Sequence, residues 1–335
     1  MKEALYYITL KNNKVKCNLC PFNCIIKPNH FGNCNARKNI NGKLYSLVYG
    51  KPASVAIDPI EKKPLYHFYP GSYSLSIGTF GCNLHCLNCQ NYDISQSKAD
   101  KFLGKEIMPE KLVEIAIEKG CKSIAYTYNE PTIFYEYVIE TAKLAKKKGL
   151  KNIMVTNGFI NTKPLKRLYK FIDGANIDLK SIKDEFYRKI CFARLQPVLE
   201  AIKEIKKIGS WIEITNLIIP EYNSKEDEIK ELCLWIKNNI GVKVPLHFSA
   251  FYPTYRLLDA PRTTSEMLIK ARDIARGLGI KYVYLGNTAI EDAGNTYCSH
   301  CGRLLIERGW FEVYKNKIKN NCCPFCGEIV DGVFE

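Results

Sequence analysis

Between residues 73 and 290 the chain alternates short β-branched or aromatic runs with amphipathic stretches of helical period. No other feature constrains the fold as much, because strands separated by helices of this length join a parallel sheet through crossover connections. Strands are predicted near 74–79, 123–127, 152–156, 174–179, 211–217, 246–250 and 281–285. Helices are predicted near 109–119, 131–148, 163–170, 184–190, 196–208, 224–239 and 264–277, with Pro131 and Pro164 in first turns. Seven βα repeats fall short of a closed eightfold barrel, so the expectation over residues 73–294 is an α/β fold with an incomplete, open (β/α) barrel.

Polar residues gather where the predicted strands end. A cysteine loop follows the first strand, Asn129 and Glu130 the second, and Thr156 and Asn157 close the third. Asp178 and Lys180 close the fourth, Thr215 and Asn216 fall late in the fifth, and Ser249 and Tyr252 belong to the sixth. One such residue reads as a helix cap or a solvated turn. Six groups converging on the C-terminal rim of a parallel barrel read as a binding or catalytic site.

The chain has fifteen cysteines and no apolar run of membrane-spanning length, and its first ten residues lack the apolar core of a secretory signal. A cytoplasmic location with reduced thiols is therefore expected, and the thiols point to metal rather than disulfides. Cys82, Cys86 and Cys89 are the most informative group. Three thiolates so spaced hold three corners of an iron–sulfur cube and leave the fourth iron open, whereas closed sites take four ligands. The competing reading is a Cys3His zinc site completed by His85, but His85 abuts Cys86 more tightly than a zinc knuckle permits. Cys121, Cys191 and Cys233 stand alone and read as small buried thiols.

The Cys-x3-Cys-x2-Cys pattern resembles the radical S-adenosylmethionine (SAM) superfamily. The stretches 46–52, 58–67, 126–132, 155–158 and 178–180 resemble, within it, the radical SAM enzymes of the AmmeMemoRadiSam system, relatives of the pyruvate formate-lyase activating enzymes. The resemblance implies a 4Fe-4S cluster on Cys82, Cys86 and Cys89, with SAM chelating the open iron and cleaved by one electron to a 5′-deoxyadenosyl radical. It also implies a reductant protein such as ferredoxin or flavodoxin, and Memo-family and associated system proteins as partners. Glu130 stands where the family accepts the SAM ammonium, and Asp178 and Lys180 match its Asp-x-Lys; Asn129, Thr156, Asn157 and Tyr252 complete the expected cofactor contacts. Departures are as specific. Asn88 replaces an aromatic residue, Tyr128-Asn129 replaces Gly-Gly, and Val155, Thr215 and Tyr252 stand where the formate-lyase activases carry aspartate, arginine and histidine.

Residues 295–335 carry Cys298, Cys301, Cys323 and Cys326 in two Cys-x2-Cys-Gly-type knuckles, a zinc-ribbon or rubredoxin-like module for which zinc is the expected metal. So small a segment needs metal to hold a core, and a structural role separable from the radical chemistry is expected. Residues 1–72 form a basic, cysteine-rich segment in which Cys17, Cys20, Cys24 and Cys34 are ordered like a metal site, zinc and an auxiliary cluster both being open. This segment holds eleven Lys or Arg against three Asp or Glu, a difference of +8 in a chain of +15, with tyrosines interspersed. That suggests an acidic macromolecule, RNA among the candidates, although a lysine-rich solvated face is the commoner reading of such a pattern. The reading taken forward is a radical SAM enzyme that modifies a macromolecule, RNA or protein. A glycyl-radical activase and a non-enzymatic metal-ribbon binding module are the alternatives.

Overall fold

The structure is a computed structural model that describes residues 1–335, Lys101 by its backbone alone. One eight-stranded sheet organises it. The strands are β1 (Ser54–Pro59), β2 (Tyr73–Gly78), β3 (Ser123–Tyr126), β4 (Lys151–Thr156), β5 (Gly174–Asp178), β6 (Trp211–Ile218), β7 (Leu246–Ala250) and β8 (Val283–Gly286). They lie side by side in sequence order. β1 pairs antiparallel with β2, and every later neighbour is parallel. The sheet stays open, as the missing eighth repeat implies, and its first strand lies upstream of residue 73.

Six helices are the crossovers: α1 (Pro109–Glu118), α2 (Tyr135–Lys147), α3 (Thr162–Leu168), α4 (Gln196–Ile208), α5 (Glu226–Asn239) and α6 (Ser265–Gly277). Each buries one stripe; on α4 it is Val198, Leu199, Ala201, Ile202 and Ile205, the i, i+3, i+4, i+7 spacing of a core-facing helix. Pro109 starts α1, where a missing N–H costs nothing, and the Thr264 hydroxyl accepts from Met267 N at 3.4 Å to start α6. The helix predicted at 184–190 is a short turn, Asp184–Phe186, followed by a wider π-helical turn at Tyr187–Cys191. No helix among the described residues is long and apolar enough to cross a membrane.

The concave face has two ends. Alternation along β6 puts Glu213, Thr215 and Leu217 on one side, and along β7 His247 and Ser249. At the N-terminal end Leu65 to Phe68 cross beneath the sheet, with Phe68 packed on Ala125 and Ile153. Glu213 accepts from the backbone N–H groups of Tyr66 and His67 at 3.0 and 2.7 Å and pairs with His247 at 2.6 Å. This closes the floor. The other end is open and holds the candidate site.

Residues 296–316 contribute a three-stranded antiparallel sheet. This module packs against the floor of the sheet rather than standing apart from it. Val333 N donates to His67 O at 2.7 Å and Tyr69 N to Val333 O at 2.6 Å. Arg308 reaches Tyr66 O at 2.7 Å, and its guanidinium lies 3.5 Å from Glu61, both side chains being fully buried. The module plugs the floor of the sheet.

Candidate active site

The loop that follows β2 carries the cysteine triad. Gly81 opens it at φ +93, and a Cβ there would lie 2.2 Å from Cys34 O, so only glycine fits. His85 N and Leu87 N donate to the carbonyls of Cys191 and Ile190 at 3.3 and 3.0 Å, so the π-helical turn braces the loop. Both His85 ring nitrogens are engaged, Nδ1 with Gln96 Oε1 at 2.7 Å and Nε2 with Asn33 O at 3.1 Å. His85 therefore serves as a fastener, which counts against the Cys3His zinc alternative.

Cys82, Cys86 and Cys89 line one wall of a cavity of about 540 Å³, within the usual size of a small-molecule site. Its other walls include Glu130, Thr156, Asn157, Asp178, Lys180, Thr215 and Ser249, so the strand ends converge as predicted. Glu130 is buried and accepts from Thr132 N at 2.9 Å, Thr156 Oγ1 at 2.8 Å and Asn157 N at 2.8 Å. Burial raises its carboxyl above the ordinary value, and these hydrogen bonds oppose that. Lys180 Nζ donates to Asp178 Oδ2 at 2.8 Å. Burial works against the Lys180 charge, but Asp178 and the neighbouring thiols outweigh it and hold the ammonium protonated.

Two expected contacts take a different form. The Asn129 amide is spent on the cysteine loop, donating to Gly81 O at 2.7 Å and accepting from Thr79 N at 3.1 Å. The Asn157 amide is likewise spent, donating to Asn83 Oδ1 at 2.9 Å and accepting from Phe159 N at 2.8 Å. Both residues line the cavity but position the loops around it. Tyr252 lies outside the lining, half-exposed, with its hydroxyl 3.4 Å from Asn287 O.

Other groups reach or brace the cavity from outside the strand-end pattern. Lys63 is buried at the cavity wall, 2.6 Å from Asp58, whose carboxylate also accepts from Tyr128 OH at 2.5 Å. Burial alone would raise Asp58, but the hydrogen bonds of Lys63, Tyr128 and Lys62 hold it well below the carboxylate range. Tyr128 sits at φ +68, a left-handed conformation that the Gly-Gly of the family would adopt without strain. Cys191, read as a small buried thiol, lies beside Cys86, and its proximity draws Cys86 below the ordinary thiol value against the effect of burial, with Lys180 assisting. No sequence signal marks Cys191, because it reaches the site only through the fold.

The C-terminal quartet differs in scale. Cys298 and Cys326 Sγ are 3.7 Å apart and Cys301 and Cys323 Sγ 3.8 Å, with all four within 4.8 Å of one another. Zinc–sulfur bonds of about 2.3 Å in a tetrahedron put sulfurs about 3.8 Å apart. The quartet fits one tetrahedral ion, and Cys323 rather than Cys322 belongs to it.

The sequence pattern of the radical SAM superfamily matches residues 76–236. An uncharacterised protein of Methanocaldococcus jannaschii is 47% identical over 333 residues, covering 99% of each chain. The pyruvate formate-lyase-activating enzyme of Clostridium pasteurianum is 24% identical over 160 residues, covering 47% of this chain and 67% of that enzyme. The crystal structure of a radical SAM methyltransferase from Sphaerobacter thermophilus superposes with a TM-score of 0.52 at 16% identity, covering 71% of each chain, a likeness of fold alone. Residues 76–236 thus carry the pattern of the radical SAM superfamily, and about half of the chain is similar to pyruvate formate-lyase activating enzymes.

Proposed function

We propose that this protein is an enzyme that cleaves SAM reductively and uses the resulting radical to abstract hydrogen from a macromolecule, RNA or protein. One observation carries the reading: three sulfurs face Glu130 and the Asp178–Lys180 pair across one cavity at the C-terminal rim of the sheet. The residues suit a polar cofactor there. Asn88 Oδ1 and Thr215 Oγ1 line the cavity, are buried, and have no protein partner, so both are free to meet a ligand. A 4Fe-4S cluster carrying SAM supplies the electron and the 5′-deoxyadenosyl radical. The chain's own groups bind and orient: Asp178 offers an acceptor for the SAM ammonium, Lys180 and Lys63 bring positive charge to the cavity wall, and Glu130 locks the Thr156–Asn157 turn.

The excess of basic charge in residues 1–72 supports an acidic macromolecular partner. A one-electron reductant such as ferredoxin or flavodoxin and a Memo-family protein belong to the same reading. A glycyl-radical activase is the second reading, favoured by the similarity to the formate-lyase activating enzyme. Val155 and Thr215, which line the cavity where those activases carry charged groups, count against it. A glycyl radical on a partner enzyme, read by electron paramagnetic resonance, would decide for the activase; mass analysis of co-purifying RNA and protein tests the first reading.

The SAM chemistry itself has a direct test. Protein reconstituted without oxygen and reduced should convert SAM to 5′-deoxyadenosine and methionine, and Cys82→Ala, Cys86→Ala and Cys89→Ala combined should abolish it. Turnover persisting in that triple variant would sink the assignment.

A further inference from the structure

The N-terminal cysteines are left over by the SAM site, and the structure gathers them. Cys17 ends a strand at Val15–Cys17, and its N–H donates to Cys24 O at 2.9 Å. Cys20 lies between them, and Cys34 arrives from the turn before Arg37–Ile40. All four line one small, almost wholly apolar cavity, with Cys17 buried and the other three half-buried. Apolar surroundings of this kind disfavour bare thiolates, so the four stay protonated thiols unless a metal centre takes up their charge.

The spacing indicates which partner. A single zinc ion draws its sulfurs to about 3.8 Å. The C-terminal quartet has that spacing, and among the described residues it is the one group of three or more Cys, His, Asp or Glu whose ligand atoms all lie within 4.8 Å of one another. The N-terminal quartet is more widely spaced, and so is the Cys82–Cys89 triad, the site for which an iron–sulfur cube is already implied. A cube spreads its four thiolates over four separate irons, so wide spacing suits it and strains a single ion. Arg37 supplies the electrostatics. Its guanidinium is buried, binds Glu136 bidentately at 2.6 and 2.7 Å, and turns Nη1 toward Cys17 Sγ at 3.9 Å. An N–H on a ligand sulfur is how proteins stabilise and tune such clusters.

The quartet also adjoins the triad. Asn83, the residue after Cys82, lines the quartet's cavity and donates to Phe159 O at 2.8 Å. Its Oδ1 accepts from Asn157, which lines the SAM cavity. Asn33 Nδ2 donates to Asn83 O at 3.3 Å, and Asn161 Nδ2 fastens the quartet loop through the carbonyls of Asn18 and Cys20 at 2.9 and 3.1 Å. The hydrogen-bonded pair Asn83–Asn157 links the two cysteine sites.

We propose that Cys17, Cys20, Cys24 and Cys34 bind a second 4Fe-4S cluster, distinct from the SAM cluster and close enough to interact with it. The test counts metal in the whole chain. Protein reconstituted without oxygen should hold about eight irons and one zinc, and the triple variant Cys82→Ala, Cys86→Ala, Cys89→Ala about four irons. In that variant the reduced protein should give one simple paramagnetic signal, and wild type a broadened signal that is not the sum of two. Cys20→Ser with Cys24→Ser should remove the iron that the triple variant retains. If this double variant does not fold, the wild-type and triple-variant counts decide alone. A triple variant with no iron, or one with about two zinc ions per chain, overturns the proposal. Deoxyadenosine formation reads the triad and iron in the triple variant reads the quartet, so failure of the SAM reading and failure of this one are distinguishable.

Discussion

Asp178 leaves the end of β5 with its carboxylate a third exposed toward the cavity and one oxygen on Lys180. Asn keeps the shape and removes the charge. A charge-assisted hydrogen bond contributes about 1.5–3 kcal/mol, so Asp178→Asn should weaken SAM about tenfold to a hundredfold while cluster content stays constant. Equilibrium SAM binding checks this, and unchanged affinity would remove Asp178 from the contact. Glu130→Gln is a less clean probe, because three protein donors already converge on that carboxylate and an amide NH2 would oppose one of them. Asp178, Lys180 and Glu130 were legible because the ends of parallel strands in such a fold share one rim. Lys63 was not, because it arrives from the segment before the repeats and becomes a wall of the cavity only once Asp58 and Tyr128 hold it.

The floor segment is the element on which pH acts. His67 is buried between Asp331 O at 2.6 Å on Nδ1 and Tyr284 OH at 2.5 Å on Nε2, facing Glu213, His247 and Arg308. Burial lowers its pKa to about 4 from the ordinary 6.5, with Glu213 opposing. The unfolded chain therefore takes up a proton between those values while the folded chain does not. Stability is fully present above 6.5 and falls as pH drops toward 4, by about 3 kcal/mol in total at about 1.36 kcal/mol per pH unit. His67→Asn should flatten that dependence, read as urea midpoints between pH 7.5 and pH 4.5. Equal slopes in the two proteins would place the titrating group elsewhere.

For the whole molecule, the C-terminal module is structural to the sheet as well as to itself. Cutting the chain near Asn295 removes Arg308, the cation against Glu61, and uncovers the floor of the sheet, whereas removing the Arg308 charge alone leaves Glu61 buried without its cation. An uncompensated buried charge costs about 3–5 kcal/mol, a large part of a domain's stability. The truncated chain should unfold at lower temperature and lose SAM cleavage with its fold. Arg308→Met should reproduce a good part of the loss with the four C-terminal cysteines intact. A truncated chain that melts like the full one would restore the separable module.

Composition and periodicity by themselves determined the repeat, the strand positions to within a few residues, the open sheet and the three cysteine groups. These depend on local chemistry: alternation decides which face of a strand is buried, and ligand spacing decides which thiols share a loop. Tertiary structure alone decided the rest. It made His85 a fastener rather than a ligand, tied the Asn129 and Asn157 amides to the cysteine loop, brought Lys63 to the cavity and Cys191 against that loop, and seated Arg308 on Glu61. Each of these joins residues distant in the sequence, and such a contact has no period or spacing to reveal it, because its energy arises only when burial brings the two partners together.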